Sequence, residues 1–283
     1  MGLEAVVFDL DDTLFAERQY VLSGFRAVAV WLDDRHGVAQ GPAFSELRDL
    51  FEGGVRHNTF DEWLAARDLA GTISVTELVG VYRDHPPSIS PAPGIRELLD
   101  RLKGRYRLGL VSDGYAQVQR GKFKALGLER YFDAVVFSDD LGREHWKPSP
   151  RPFEAVTDLL DVAPGNSVYI ADNPTKDFIG ARSLGMATVR LRRPDGVYAL
   201  AAPPTEAHAP DLEVLEVSSV AGLLEERWGD DGLRHVGETN YTPGGIAGAG
   251  RPTNVTGESP EGRRARKVRY LRNGGTGSKK TGQ

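Results

Sequence analysis

The sequence predicts an α/β protein with a doubly wound parallel sheet and an inserted helical segment. Short apolar runs rich in Val and Phe alternate with amphipathic stretches of about ten residues, the order expected of a parallel sheet. One long interval, residues 15–85, carries helical patterns and no good strand. The chain has 283 residues, 40% of them hydrophobic, which is enough to bury a core of this kind.

The predicted strands are short apolar runs that end beside polar residues. The first covers residues 4–10 (EAVVFDL) and ends in acid. Runs of this length, enriched in Val and Phe, are typical of buried strands. Further strands are predicted at 106–111, 134–137, 167–171, 187–191 and 212–217.

Between these strands, apolar residues recur three and four apart, which predicts helices. The segment GIRELLDRLK (94–103) carries its large aliphatic residues three and four apart, as on one face of a helix. Core helices are also predicted at 115–126, 151–161, 176–184 and 218–228. Four more are predicted in the inserted interval, at 16–35, 42–52, 59–70 and 75–83. We therefore assign 1–14 and 91–228 to an α/β core and 15–90 to a helical cap.

The net charge of −5 is an average over two regions of opposite charge. Residues 237–283 contain nine Lys and Arg against three Asp and Glu, with 11 of the 33 glycines, while the preceding chain contains 26 against 37. This basic, Gly-rich tail lacks apolar periodicity, so we predict that it is disordered. Its basic run RRARKVR (263–269) belongs to no folded nucleic-acid-binding motif, and we do not expect specific binding to nucleic acid.

Composition excludes several classes of protein. The chain has no cysteine, which excludes a disulfide scaffold, a thiolate nucleophile and cysteine-ligated metal centres. No apolar run approaches the roughly 20 residues that span a bilayer. The N-terminus lacks a basic region followed by a long apolar stretch, so no signal peptide is expected. We expect a cytoplasmic protein without membrane association, of unknown oligomeric state.

Polar residues collect at the carboxyl ends of the predicted strands, where parallel sheets gather functional groups. Oxygen ligands without His or Cys favour Mg²⁺ over zinc. A carboxylate can attack phosphorus, and a second carboxylate two residues on can protonate the leaving oxygen and later activate water. A lysine and a hydroxyl can hold the phosphoryl oxygens. The residues in question are Asp9, Asp11, Thr13, Ser112, Asp113, Lys147, Asp172 and Asp177.

The order of these motifs resembles that of the haloacid dehalogenase superfamily of hydrolases. The motifs are DLDDTLF (9–15), VSDG (111–114), KPSP (147–150) and ADNPTKD (171–177), and the resemblance covers about residues 1–228. It implies a Rossmann-like core with a small helical cap inserted after the first strand. Two features depart from the family. Ala171 stands where many members have Gly, and REHW (143–146) lengthens the approach to Lys147, where it is expected to extend the active-site rim.

The resemblance also assigns roles residue by residue. Asp9 would be the nucleophile and a magnesium ligand. Asp11 would be the general acid/base, with its backbone carbonyl also on the metal. Ser112 and Lys147 would contact the transferring phosphoryl group and take part in catalysis. Thr13 would support the loop that carries Asp11, Asp172 would ligate magnesium, and Asp177 would ligate it or orient its waters. Apart from the resemblance, Thr13 and Asp113 are candidate substrate-binding residues, and a turn-stabilising role is the alternative for Asp113.

The leading hypothesis is a magnesium-dependent phosphatase that acts on a small phosphorylated metabolite. Haloacid dehalogenation needs a nucleophilic Asp but neither metal nor a second acid, so Asp11, Asp172 and Asp177 disfavour it. A phosphomutase shares the motifs and differs mainly in cap contacts, which the sequence does not reveal. An inactive binding module with a basic tail is the alternative of another class. Such a module is expected to lose one of Asp9, Asp11, Lys147 or Asp172, and all four are present.

Overall fold

The computed structural model describes residues 2–229 and 268–271. Its main feature is a parallel sheet with the strand order β6-β5-β4-β1-β2-β3-β7. This arrangement confirms the predicted fold class, and each of the six predicted strands is present. The strands are β1 (Ala5–Phe8), β2 (Arg107–Ser112), β3 (Ala134–Phe137), β4 (Ser167–Ala171), β5 (Ala187–Leu191), β6 (Leu212–Val214) and β7 (Arg269–Tyr270).

The helices follow the predicted order, with bounds that shift by a few residues. The largest shift is in α3, which ends at Ala66 rather than at 70. Asp68 there adopts a left-handed φ of 55°, and the amide of Leu69 bonds back to the carbonyl of Leu64, so the chain turns out of the helix. The helices are α1 (Glu17–His36), α2 (Gln40–Glu52), α3 (Thr59–Ala66), α4 (Val75–Asp84), α5 (Ile95–Leu102), α6 (Ala116–Leu126), α7 (Arg151–Leu160), α8 (Phe178–Ser183) and α9 (Val217–Trp228).

The sheet is covered on both faces, which explains the continuous apolar runs of its strands. Successive residues of a strand point to opposite faces. In β1, Val6 and Phe8 pack in the cluster that contains α5, α6 and α9, whereas Ala5 and Val7 pack in the cluster with α7 and α8. The layers therefore have the doubly wound arrangement expected from the sequence.

The inserted interval contains α1 to α4, which pack around a hydrophobic cluster of their own. Phe25, Leu47, Trp63 and Leu78 are among its buried members. This cluster is separate from the two that cover the sheet, because its buried side chains all come from residues 21–78. The bounds given above for the cap and the core stay predictions.

The structure describes only a small part of the predicted disordered tail. Most of 237–283, including nearly all of the basic run, lies outside the described residues. Residues 268–271 differ from the prediction, because Arg269–Tyr270 form β7 and pair in parallel with Ala134 and Val135. The neighbouring Val268 and Leu271 pack against the clusters on the two faces of the sheet. Along the described chain, none of the helices combines the length and the apolar character that crossing a membrane requires.

Candidate active site

Asp9 lies directly after the buried strand β1, at the centre of the sheet. Its amide donates to the carbonyl of Ile170 (2.9 Å), so the backbone is still fixed by β4 at this point. Its Oδ1 accepts a hydrogen bond from Lys147 Nζ (2.6 Å). No described residue donates to Oδ2, and Asp9 borders a cavity between core and cap. One carboxylate oxygen is therefore held by the protein and the other is available for reaction.

A cluster of three carboxylates surrounds this position. Asp9, Asp172 and Asp177 each offer an oxygen within 4.8 Å of the others. The pKa of Asp9 is raised to about 7, chiefly by burial, with Lys147 opposing the rise and Asp177 adding to it. Burial, followed by Asp177 and Asp9, also raises the pKa of Asp172 well above its usual range. The cluster thus carries more negative charge than the lysine beside it offsets.

The donor set fits a hard divalent cation. Asp172 Oδ2 is buried and accepts no hydrogen bond from the described residues. Asp177 Oδ2 accepts from the amide of Asn173 (2.9 Å), which orients this carboxylate. Oxygen ligands with an excess of negative charge are what Mg²⁺ prefers in proteins. The metal role of the backbone carbonyl of Asp11 stays a prediction.

Lys147 is the cation at the base of the cluster. Its side chain is 1% exposed, and its amine lies 2.6 Å from Asp9 Oδ1 and 2.7 Å from Asp177 Oδ1. The contact with Asp177 is an ion pair whose angles do not make it a hydrogen bond. Burial alone would lower the pKa of Lys147, but Asp177 and Asp9 raise it well above its usual range, so the amine stays charged.

Asp11 is held by two residues that the sequence analysis did not identify. Its Oδ1 lies 2.7 Å from Lys122 Nζ, and its Oδ2 accepts from Gln119 Nε2 (2.7 Å). Both partners are buried on α6. The buried face of this helix also includes Phe123 and Leu126, so two polar residues occupy positions of an otherwise apolar stripe. The presence of polar residues on an apolar stripe is the sequence signal that could have identified Gln119 and Lys122.

Ser112 and Thr13 lie beneath the cavity surface. Ser112 closes β2, and its hydroxyl accepts a hydrogen bond from Gln119 Nε2 (2.9 Å). Thr13 is fully buried and its hydroxyl has no hydrogen-bond partner among the described residues. Neither residue borders the cavity. Their predicted contacts with substrate stay predictions.

Asp113 has its carboxylate oxygens occupied by protein donors. Oδ1 accepts from Ser138 Oγ (2.5 Å) and from the amide of Lys147 (3.2 Å), and Oδ2 pairs with Lys176 Nζ (3.2 Å). Burial alone would raise the pKa of Asp113, but Lys147 and Lys176 lower it below its usual value. Asp113 thus connects β2 to the loop that carries Lys147. Its predicted contact with substrate stays a prediction.

Asp12, which follows Asp11, connects the loop after β1 to two other segments. It adopts a left-handed φ of 52°. Its carboxylate accepts hydrogen bonds from the amide of Glu17 (2.8 Å) and from the amide of Val197 (2.7 Å). These bonds tie the start of α1 and the loop at Val197 to the segment that contains Asp9 and Asp11.

A cavity of about 280 Å³ lies above the carboxylate cluster, between the core and α1 and α4. Tyr115 borders it, and Arg143 of the REHW stretch lies 4.6 Å from the centre of that ring. Residues 143–146 do not themselves line the cavity, so their predicted extension of the active-site rim stays a prediction. The other lining side chains are mostly polar or aromatic: Asp9, Asp11, Asp12, Glu17, Tyr20, Tyr82, Arg83, Asp113, Val118, Gln119, Lys122, Asp172, Asn173, Lys176, Asp177 and Tyr198.

Known proteins with similar sequences identify the family to which the chain belongs. The chain is 30% identical to the glyceraldehyde 3-phosphate phosphatase of Methanopyrus kandleri, over 79% of this chain and 98% of that protein. It is 28% identical to the pyrophosphatase PpaX of Bacillus mycoides, over 68% of this chain and 84% of that protein. The magnesium-bound hydrolase YfnB of Bacillus subtilis has the same fold, with a TM-score of 0.59 at 18% identity over 79% of this chain and 99% of that one. The sequence profile of the haloacid dehalogenase-like hydrolases matches residues 6–191, and the chain belongs to this family of hydrolases.

Proposed function

We propose that the protein is a Mg²⁺-dependent phosphatase that hydrolyses small phosphomonoesters through a phosphorylated Asp9. The observation that carries the proposal is the placement of two differently held carboxylates at one cavity. Asp9 has one oxygen available beside the acidic cluster. Asp11, two residues after Asp9, is fixed by Lys122. The relatives named as phosphatases support this chemistry for the chain.

The first step transfers the phosphoryl group to Asp9. Asp9 Oδ2 attacks phosphorus, and the bond from phosphorus to the ester oxygen breaks. Asp11 donates a proton to the departing oxygen, so the leaving group departs as an alcohol. Lys147, 2.6 Å from Asp9 Oδ1, holds that carboxylate in place while its other oxygen reacts.

The second step returns Asp9 to its starting form. Asp11 accepts a proton from water while the water oxygen attacks phosphorus. The bond between phosphorus and Asp9 Oδ2 then breaks, which releases inorganic phosphate and the free carboxylate. When bound between Asp9, Asp172 and Asp177, Mg²⁺ supplies positive charge that offsets the phosphoryl oxygens and the acidic cluster.

The acidic cluster also bears on the other reactions of this fold. Dehalogenation through an aspartate needs no cation, so a cluster of Asp9, Asp172 and Asp177 has no use in it. In a phosphomutase the phosphoryl group is passed to a second hydroxyl of the sugar rather than to water. Release of inorganic phosphate in equal amount to the alcohol therefore separates phosphatase from mutase.

The proposal is tested with purified protein, p-nitrophenyl phosphate and Mg²⁺. We expect nitrophenol and phosphate to appear in equal amounts, EDTA to stop the reaction, and Asp9→Asn to lower turnover by at least about 10³-fold. Asp34→Asn, on the exposed side of α1, is the matched control and should retain turnover. Full activity in EDTA, or an active Asp9→Asn variant, would refute the mechanism.

A further inference from the structure

We propose that Glu17 selects the leaving group, so that the enzyme prefers phosphomonoesters of small uncharged polyhydroxyl compounds. Esters that carry a carboxylate near the phosphate would be rejected. This inference rests on the proposed phosphatase function. Its basis is the position of one carboxyl group in the cavity.

Glu17 is the first residue of α1, where the chain leaves the loop after β1 and enters the cap. Its amide donates to Asp12 Oδ1 (2.8 Å), which fixes the backbone. Its side chain borders the same cavity as Asp9 and Asp11. Within the described residues, that side chain makes neither a hydrogen bond nor an ion pair. The acceptor oxygens of Glu17 are therefore available to a bound molecule.

The lysines that border the cavity are already held by other carboxylates. Lys122 pairs with Asp11 (2.7 Å), and Lys176 pairs with Asp113 (3.2 Å). Burial, reinforced by Asp11, raises the pKa of Glu17 to about 7, so at pH 8 most molecules carry a negative charge there that no described side chain offsets by direct contact. A carboxylate on the leaving group would be repelled by it, whereas a hydroxyl would donate a hydrogen bond to it.

The rest of the wall fits a small hydroxylated molecule. Tyr20, Tyr82 and Tyr198, whose side chains combine an aromatic ring with a hydroxyl group, border the cavity. A cavity of about 280 Å³ that also receives the phosphoryl group leaves room for only a few carbon atoms. Arg83 is the cation on the cap side, but it is exposed, and its guanidinium carbon lies 4.0 Å from the centre of the Tyr115 ring. Because Arg83 is a cation at the rim, it would favour carboxylate-bearing esters, and its effect on substrate preference is therefore tested beside that of Glu17.

The test compares two substrates of equal carbon number, glycerol 3-phosphate and 3-phosphoglycerate, which differ in one CH₂OH or carboxylate group. We expect the wild-type protein, with saturating Mg²⁺ at pH 8, to favour glycerol 3-phosphate in kcat/KM by at least about ten-fold. Glu17→Gln keeps the size of the side chain and the backbone hydrogen bond. It should reduce this ratio by about ten-fold, chiefly by raising kcat/KM for 3-phosphoglycerate. Glu77→Gln, on the exposed side of α4, is the matched control and should leave the ratio unchanged.

Three results would overturn the inference while leaving the phosphatase function in place. The first is a wild-type preference for 3-phosphoglycerate that Arg83→Gln abolishes. The second is a ratio that Glu17→Gln leaves unchanged in a variant that melts like the wild type. The third is hydrolysis of p-nitrophenyl phosphate with no turnover of either three-carbon ester. Absence of Mg²⁺-dependent hydrolysis of every ester would instead overturn the proposed function, and this inference with it.

Discussion

Replacing Asp9, the proposed nucleophile, should stabilise the protein at high pH when no metal is present. Asp9 is 6% exposed, and burial raises its pKa from 3.8 to about 7, with Asp177 adding to the rise and Lys147 opposing it. A carboxyl whose pKa is higher in the folded state holds its proton longer there than in the unfolded chain. Its contribution to stability therefore falls as the pH rises from about 3.8 to about 7 and stays low above that. Asp9→Asn has no proton to lose and escapes this fall.

The size of the effect follows from the titration range. Below pH 7 the folded wild type is stabilised because it holds the Asp9 proton more tightly than the unfolded chain does. Between pH 5 and pH 7 this stabilisation falls by about 1.4 kcal/mol for each of roughly two pH units. The difference in free energy of unfolding between Asp9→Asn and wild type should therefore widen by about 3 kcal/mol from pH 5 to pH 8. For a body of this size that corresponds to about 10 °C in Tm.

Thermal and urea unfolding in EDTA at pH 5 and pH 8 measure this difference. Asp34→Asn, with its side chain in solvent, is the control and should show no widening. Saturating Mg²⁺ at pH 8 should narrow the gap, because the cation stabilises the ionised Asp9 of the wild type more than it stabilises Asn. A gap that is constant with pH in EDTA, or that narrows as the pH rises, would show that Asp9 is ionised without cost and would refute the reasoning.

Three further predictions concern the surroundings of the site. Lys122→Met removes the amine 2.7 Å from Asp11. It should lower kcat/KM for p-nitrophenyl phosphate by about 100-fold with little change in the Mg²⁺ requirement. A shifted Mg²⁺ requirement at an unchanged rate would contradict the role of Lys122 in holding Asp11. Gly180→Ala places a methyl group 2.6 Å from the carbonyl oxygen of Pro148 and should cost about 1–3 kcal/mol in urea unfolding, whereas an unchanged midpoint would contradict this. Removal of residues 230–283 should leave turnover nearly unchanged. It should lower the free energy of unfolding by about 1–3 kcal/mol, because β7 and the apolar residues beside it are lost. A truncated protein that is equally stable would show that β7 contributes nothing.

The strand ends were predictable because each combines two independent signals. An apolar run such as AVVF before Asp9 predicts a buried strand, and an acidic residue directly after it is placed by the sheet at the edge where such groups meet. The same reasoning predicted the positions of Ser112 and Asp172. Their side-chain contacts were not predictable, because they depend on helices that pack over the strands from elsewhere in the chain.

The helical contributions were missed for a related reason. Gln119 and Lys122 lie on α6, and Glu17 begins α1, so none of them follows a strand. A polar residue on a helix is usually solvated, and only its position on the buried stripe distinguishes it. The strand β7 has no comparable signal, since Arg269–Tyr270 is two residues long and its partner, β3, lies more than a hundred positions earlier.

The pKa directions distinguish two kinds of carboxylate that look alike in the sequence. Burial acts on both Asp113 and Asp9, and it would raise the pKa of each. At Asp113, Lys147 and Lys176 outweigh burial and lower the pKa, so the protein itself supplies the positive charge that this carboxylate needs. At Asp9 and Asp172 burial and neighbouring carboxylates outweigh the single lysine between them. Of these three carboxylates, Asp9 and Asp172 are the ones that a second source of positive charge would stabilise, which is why the geometry favours a cation beside them.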